Sequence, residues 1–128
     1  MSSPVAKPRP KYLNLMQIRL PLPAFISIMH RVSGAVLFLL IPLLLWLFQT
    51  SLESAASFAE FRSVVAHPLM KLVLLGLLWG YLHHLMAGLR HLFLDLHIGV
   101  ELETARLTSI IVLAAGIVLT LGVGVALW

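Results

Sequence analysis

Three long stretches without a charged side chain constrain this chain more than any other feature of its sequence. They cover residues 32–52, 72–89 and 107–128. A helix of about 20 residues rises about 30 Å, which is the thickness of a bilayer's hydrocarbon core. A segment that crosses this core must satisfy its own backbone hydrogen bonds, so each stretch is predicted to be a helix. The sequence therefore predicts an all-α membrane protein with three transmembrane helices, at about 32–52, 70–93 and 107–128, in one domain over residues 1–128.

The composition excludes several other classes of protein. Of 128 residues, 60% are hydrophobic and 11% are charged, whereas a soluble domain has about 25% charged residues. A soluble enzyme and a nucleic-acid-binding module are therefore excluded, despite a pI near 10.1. The chain has no cysteine, so a disulfide framework, an iron–sulfur site and a cysteine nucleophile are excluded as well, and the six histidines remain the candidates for metal chemistry.

The distribution of lysine and arginine predicts the orientation in the membrane. Seven of the nine basic residues lie on the side of the N-terminal segment and of the loop at 95–106, and the remaining two lie on the opposite side. Basic segments stay in the cytoplasm. Residues 1–31 are therefore predicted to be a cytoplasmic tail and interfacial segment, with the C-terminus outside. This tail has no signal-peptide pattern, and we expect a multi-pass protein of a bacterial inner membrane.

Polar side chains within the spans are candidates for function, because they are costly to place in a membrane. The first helix begins with Ser27, His30 and Arg31, and the second ends with Arg90 and His91. Neighbouring spans are antiparallel, so these two ends meet at the same membrane face. We expect the histidines and arginines to form one basic cluster there. Ser27 and Arg31 are one helical turn apart, which allows them to share a ligand.

Two adjacent histidines, His83 and His84, lie deeper in the second helix. His84 is seven residues from His91 and therefore on the same helix face, about 10 Å deeper. Glycines recur with His84 at four-residue spacing (Gly76, Gly80 and Gly88), and they let a flat ligand approach the backbone. A buried haem needs an axial imidazole, apolar walls and cations near its propionates. His84, the glycines and the basic cluster offer this set.

The same residues also have ordinary structural uses. Glycine at every fourth position is commonly a helix-packing motif, and a histidine in a membrane is commonly an interhelical hydrogen-bonding group. Arginines near a helix end reach lipid headgroups. A small transporter or structural membrane protein without haem is therefore an alternative. A proton path, however, needs carboxylates within the spans, and the uncharged stretches have none.

Two motifs in combination make the chain similar to a known family. The run Ser27-Ile-Met-His30-Arg31-Val-Ser33-Gly34 is followed, after a long interval, by His84-x-x-x-Gly88-x-Arg90-His91 and Asp95. With these motifs the chain resembles the cytochrome b membrane-anchor subunit of succinate dehydrogenase (succinate:quinone oxidoreductase, respiratory complex II). The resemblance covers nearly the whole chain, from Arg9-Pro10 in the tail to Trp128.

The resemblance implies an anchor subunit that is not catalytic alone. Together with a second small membrane-anchor subunit, it attaches a flavoprotein subunit and an iron–sulfur subunit to the lipid bilayer. Electrons from succinate reach ubiquinone beside the anchors, and one haem b lies between the two anchors with an axial histidine from each. Matching motifs make His84 the haem-iron ligand, Ser27 and Arg31 the quinone-contacting residues, and His30, Arg31 and His91 the haem propionate region. An anchor of fumarate reductase is the close alternative.

Overall fold

The computed structural model describes residues 17–127 as an all-helical chain. Its helices are α1 (Leu22–Glu53), α2 (Ala55–Ala66), α3 (Pro68–Asp95) and α4 (Leu102–Leu127), and this part of the chain contains no β-strand. By length and composition α1, α3 and α4 are able to cross a membrane. The predicted all-α fold with three membrane-spanning helices is confirmed. Residues 1–16 of the predicted tail, and Trp128 at the end of the predicted third span, lie outside the described residues.

The first long helix, α1, begins well before the first predicted span. Pro23 lies in its first turn, where a missing N–H has no helical partner to lose. The apolar residues that follow continue the helix into the uncharged stretch, through Pro42 in its interior. Ser27, His30 and Arg31 therefore lie on a regular helix, so the period of about 3.6 residues per turn fixes the faces on which they lie.

The short helix α2 fills the connection between α1 and α3. Ser54 caps its start: Ser54 Oγ accepts a hydrogen bond from Ser57 N at 3.1 Å, and Ser57 Oγ accepts one from Ser54 N at 2.9 Å. His67 caps α3, because its Nδ1 accepts a hydrogen bond from Leu69 N at 3.2 Å. These caps satisfy backbone N–H groups that the first helical turns leave free. His67 is therefore engaged in this cap, and it lies about 25 Å along α3 from His84.

Helix α3 packs against both α1 and α4. Ile26, Ala87 and Val112 form a buried apolar core where the start of α1, the end of α3 and the start of α4 meet, and we call this end of the bundle the site end. The other buried residues of α4 are small or carry a hydroxyl (Ser109, Gly116, Thr120 and Gly124), which lets helices approach closely in a membrane. Most large apolar side chains point outward, as Phe38 does with 70% of its surface exposed.

Candidate functional site

His84 on α3 is held by two polar groups of α1. Its ring Nδ1 lies 3.1 Å from the His30 carbonyl oxygen and 3.2 Å from Ser33 Oγ. Ser33 Oγ itself donates to the same carbonyl at 3.0 Å, so neither oxygen has a proton to offer and Nδ1 must be the donor. A neutral His84 then keeps the lone pair of Nε2, which has no hydrogen-bond partner among residues 17–127. A metal-binding histidine has this arrangement, with the other ring nitrogen donating to a carbonyl.

Gly34 gives the His84 ring the space that it occupies. A Cβ atom at residue 34 would lie 2.8 Å from His84 Cε1 and 3.3 Å from His84 Nδ1. The 2.8 Å distance is too short for a carbon–carbon contact, so the ring would have to move, and the 3.3 Å distance is tighter than an ordinary contact. Ser33 and Gly34 therefore both position the His84 ring: Ser33 accepts a hydrogen bond from it, and Gly34 leaves space for it because it has no side chain. Sequence reasoning quoted these two residues in a motif but assigned them no role.

Replacing Gly34 with alanine is expected to loosen the contact between α1 and α3. The new methyl group must displace the His84 ring from the His30 carbonyl, and overpacking of this kind costs about 1–3 kcal/mol. Gly122→Ala on α4 is the matched control, because a Cβ atom there meets nothing within 4 Å. Thermal unfolding in detergent should show a lower midpoint for Gly34→Ala and an unchanged or higher one for Gly122→Ala. Equal midpoints for the two variants would contradict the account of Gly34.

Three imidazoles form a contiguous cluster at the site end. The His30 ring stacks on the His84 ring, with centroids 4.2 Å apart and planes at 10°. His91 lies 5.0 Å from His30 in a tilted arrangement. A Cβ atom at Gly88 would come within 3.3 Å of His30 Nε2, so this glycine leaves room for the His30 ring. The structure thus brings the predicted His30 and His91 together with His84, and their role toward a haem stays a prediction.

Ser27 and Arg31 lie one turn apart on α1, beside the histidine cluster in sequence. Ser27 is half-buried and Arg31 is exposed. Neither side chain makes a hydrogen bond or ion pair with the described residues. Their donors are therefore available to a ligand or to another chain, and their role toward a quinone stays a prediction.

Arg90 does not belong to the histidine cluster, so the prediction that it joins the basic cluster is wrong. Its guanidinium turns to α4, where Nε donates to Thr108 Oγ1 at 3.0 Å and Nη2 donates to the Ala105 carbonyl at 3.2 Å. The side chain is only 7% exposed. The physical reason is the helical period: neighbouring residues project about 100° apart, so Arg90 and His91 cannot both face α1.

His83 occupies a different environment from its neighbour His84. It is fully buried, and neither of its ring nitrogens has a hydrogen-bond partner in the described part of the chain. Its ring stacks on Trp79 at 5.4 Å, and its Cα lies 3.7 Å from the position of a Cβ atom on Gly116 of α4. Because both ring nitrogens are fully buried, His83 does not offer a lone pair to a group outside the bundle.

The glycine pattern does not distinguish the two histidines in the way that the sequence suggested. Gly76 and Gly80 line an apolar groove between α1 and α3 that His83 lines as well, and a Cβ atom on either glycine would meet nothing within 4 Å. The open space beside Gly76 and Gly80 leaves room for a ligand or another helix, and their role beside a haem stays a prediction. The hydrogen bond from Nδ1 to the His30 carbonyl is the feature that favours His84.

These observations define a class of protein: a membrane protein with three membrane-spanning helices and a cluster of three histidines at one end of the bundle. The sequence profile described as "Succinate dehydrogenase/Fumarate reductase transmembrane subunit" matches residues 5–123. The chain belongs to this family, and its role is that of a membrane anchor.

Individual relatives agree with the family assignment. A succinate dehydrogenase cytochrome b556 subunit of Paracoccus denitrificans is 40% identical over 111 residues, which are 87% of this chain and 85% of the relative. The subunit of the same name from Coxiella burnetii is 35% identical over 121 residues, which are 94% of this chain and 97% of the relative. That of Rickettsia felis is 27% identical over 113 residues, or 88% of each chain. The similarity therefore extends through all three long helices.

Proposed function

We propose that this chain is the haem b-binding membrane anchor of a succinate dehydrogenase and that it helps to form the ubiquinone-reduction site. The observation that carries the proposal is the state of His84, whose Nδ1 donates to the His30 carbonyl while Nε2 has no partner among the described residues. The relatives' names describe b-type cytochromes of succinate dehydrogenase, which favours this enzyme over fumarate reductase. Membership of the family sets aside the small transporter.

His84 Nε2 would hold the haem iron, and no other histidine of residues 17–127 is placed to hold it together with His84. His83 is on the same helix and its nitrogens are sealed. The His30 ring stacks on the His84 ring with centroids 4.2 Å apart, so the two imidazoles lie side by side and would not hold one iron from opposite sides. A second ligand would therefore come from another chain, which we propose is the second small membrane-anchor subunit. When bound, haem b accepts and returns single electrons.

His30, His91 and Arg31 would serve the propionate groups of the haem. The two imidazoles lie together at the site end, and Arg31 is next to His30 on α1. Propionates are anionic, and imidazole N–H and guanidinium groups are hydrogen-bond donors that suit carboxylates. These residues orient the group and keep its charged edge towards the membrane surface.

Ser27 and Arg31 would bind the quinone headgroup. A quinone carbonyl accepts a hydrogen bond, and reduction to the quinol adds two electrons and two protons. The Ser27 hydroxyl donates to the carbonyl before reduction, and the Arg31 guanidinium stabilises the negative charge that develops on oxygen as electrons arrive. Both donors are uncommitted in the described part of the chain. Arg31 has enough donors to serve the quinone and a propionate together.

The orientation that we propose has the N-terminus in the cytoplasm of a bacterial cell, at the inner membrane. The seven-to-two division of basic residues supports it, and it puts the site end on the side where soluble electron-donating subunits dock. A reporter that is active only in the cytoplasm should be active when fused to the N-terminus and inactive when fused to the C-terminus. The reverse pattern would contradict the orientation.

Purification of the chain through an affinity tag in mild detergent tests the proposed partners. We expect three chains to co-purify in equal amounts: a flavoprotein, an iron–sulfur protein and a second small membrane protein. The isolated membranes should transfer electrons from succinate to ubiquinone. A preparation in which the chain is intact and embedded in membranes, but brings no flavoprotein, would overturn the proposal.

A further inference from the structure

A second cavity at the site end lies on the side of α3 that faces away from the histidine cluster. It has a volume of about 330 Å³ and lies between the end of α3, the loop after it and the start of α4. Its walls are mainly apolar, and Arg90 is the one charged side chain that lines it. We call it the α3/α4 cavity. The haem and quinone residues named above are not part of its lining.

The positive charge of Arg90 has no acidic partner in the described part of the chain. No carboxylate there lies within ion-pair distance, and the two hydrogen bonds of Arg90 go to a hydroxyl and a carbonyl. A buried charge without a counter-ion is costly. This cost disappears if an anionic group from outside the chain binds next to the guanidinium.

The third guanidinium nitrogen, Nη1, is the donor that remains for such a group. It makes no hydrogen bond to residues 17–127. Nη1 is also not fully buried. Among residues 17–127, the fully buried side-chain nitrogens and oxygens that lack a hydrogen-bond partner are the two ring nitrogens of His83, and Nη1 is not one of them. Nη1 is therefore reachable from outside, in a cavity whose Thr104 and Thr108 side chains add hydroxyl groups.

The surroundings of Arg90 favour a lipid as the source of the anion. Arg90 directly follows the uncharged stretch 72–89, so it lies at the edge of the hydrocarbon core, at the depth of lipid headgroups. Several apolar residues of the cavity continue onto the outer surface, where Leu89 is 45%, Phe93 55% and Ile111 51% exposed. A guanidinium suits a phosphate group, and basic pockets between membrane helices bind phospholipid headgroups.

We propose that the α3/α4 cavity binds one anionic membrane phospholipid. Its phosphate accepts hydrogen bonds from Arg90 Nη1, and the first part of an acyl chain lies against Leu89 and Phe93. The site is separate from the haem and quinone residues, so the failure of this proposal leaves the proposed function intact.

The test measures phospholipid bound to the purified complex after washing with detergent. Three probes are added back: dioleoylphosphatidylglycerol, dioleoylglycerol with the same chains but no phosphate, and glycerol phosphate without chains. We expect saturable binding of the phosphatidylglycerol only, with about one molecule per copy of this chain. If glycerol phosphate bound with equal affinity, the anion at Arg90 would not have to come from a lipid, and the proposal would be overturned. If dioleoylglycerol bound with equal affinity, the phosphate would play no part in binding, which would overturn the proposal as well.

Variants locate the site. Arg90→Gln should weaken phosphatidylglycerol binding about tenfold, because it removes a charge-assisted hydrogen bond. Arg106→Gln is the matched control, since Arg106 is an exposed arginine at the same end and its variant should bind as the wild type does. Ile111→Trp, which fills the cavity and leaves Arg90 in place, should also abolish binding, and it carries the test if Arg90→Gln does not assemble. The proposal would be overturned if Ile111→Trp bound phosphatidylglycerol as the wild type does. It would also be overturned if crosslinking found a carboxylate of a co-purifying subunit, and not a lipid, at the cavity.

Discussion

Replacing His84 with alanine is expected to abolish the b-type haem of the assembled complex. The ring supplies the one imidazole whose Nε2 is free while Nδ1 is held by the His30 carbonyl at 3.1 Å. On the proposed function this nitrogen would hold the haem iron, and the adjacent His83 could not substitute, because both of its ring nitrogens are buried. The reduced-minus-oxidised absorption spectrum of the purified complex should lose the b-type band, or retain a small fraction with altered ligation.

His83→Ala is the matched control, because the two histidines are adjacent and chemically identical. His83 is fully buried with both nitrogens sealed, so its variant should keep the band at wild-type intensity, with some loss of stability from the cavity that it leaves. The opposite ranking, with the band lost in His83→Ala and kept in His84→Ala, would move the ligand assignment to His83.

Ser27→Ala and Arg31→Leu are expected to reduce electron transfer from succinate to ubiquinone sharply. On the proposed function each variant removes a hydrogen-bond donor to the quinone, and loss of a donor that stabilises developing charge costs about 10²- to 10³-fold in rate. Reduction of a soluble artificial acceptor by succinate should continue at the wild-type rate, because on the proposed function the flavin chemistry belongs to another subunit. The two assays on one preparation separate a quinone-site defect from a failure of assembly.

Arg106→Gln serves as the control for the arginine variant. It removes an exposed positive charge from the start of α4 without touching α1, so quinone reduction should stay at the wild-type rate. If Ser27→Ala and Arg31→Leu also reduced quinone normally in a complete complex, the two residues would not form the quinone site.

The architecture followed from the sequence because a bilayer leaves few choices. Uncharged stretches of sufficient length must be helices, and antiparallel neighbours bring the start of α1 to the end of α3. That was enough to predict that His30 and His91 meet. The first helix was predicted to begin with Ser27, and in the structure it begins five residues earlier, at Leu22, because a helix can continue through the membrane interface.

The site was less accessible to sequence reasoning, because side-chain direction depends on how the helices are rotated. Arg90 was predicted to join the histidines, but the rotation of α3 directs it to Thr108 of α4. The spacing of Gly76 and Gly80 was attributed to His84, although these glycines share a groove with His83. The role of Gly34 had a possible signal: it follows His30 by four residues, so it lies one turn deeper on α1, where α3 carries His84.

The reduced-minus-oxidised spectrum of the wild-type complex, purified through a tag on this chain, tests the central claim most directly. The account predicts a b-type haem band in a complex that also contains the flavoprotein and iron–sulfur subunits, with the band present in His83→Ala and absent in His84→Ala. A wild-type complex that contains both soluble subunits, reduces ubiquinone with succinate and shows no b-type band would contradict it.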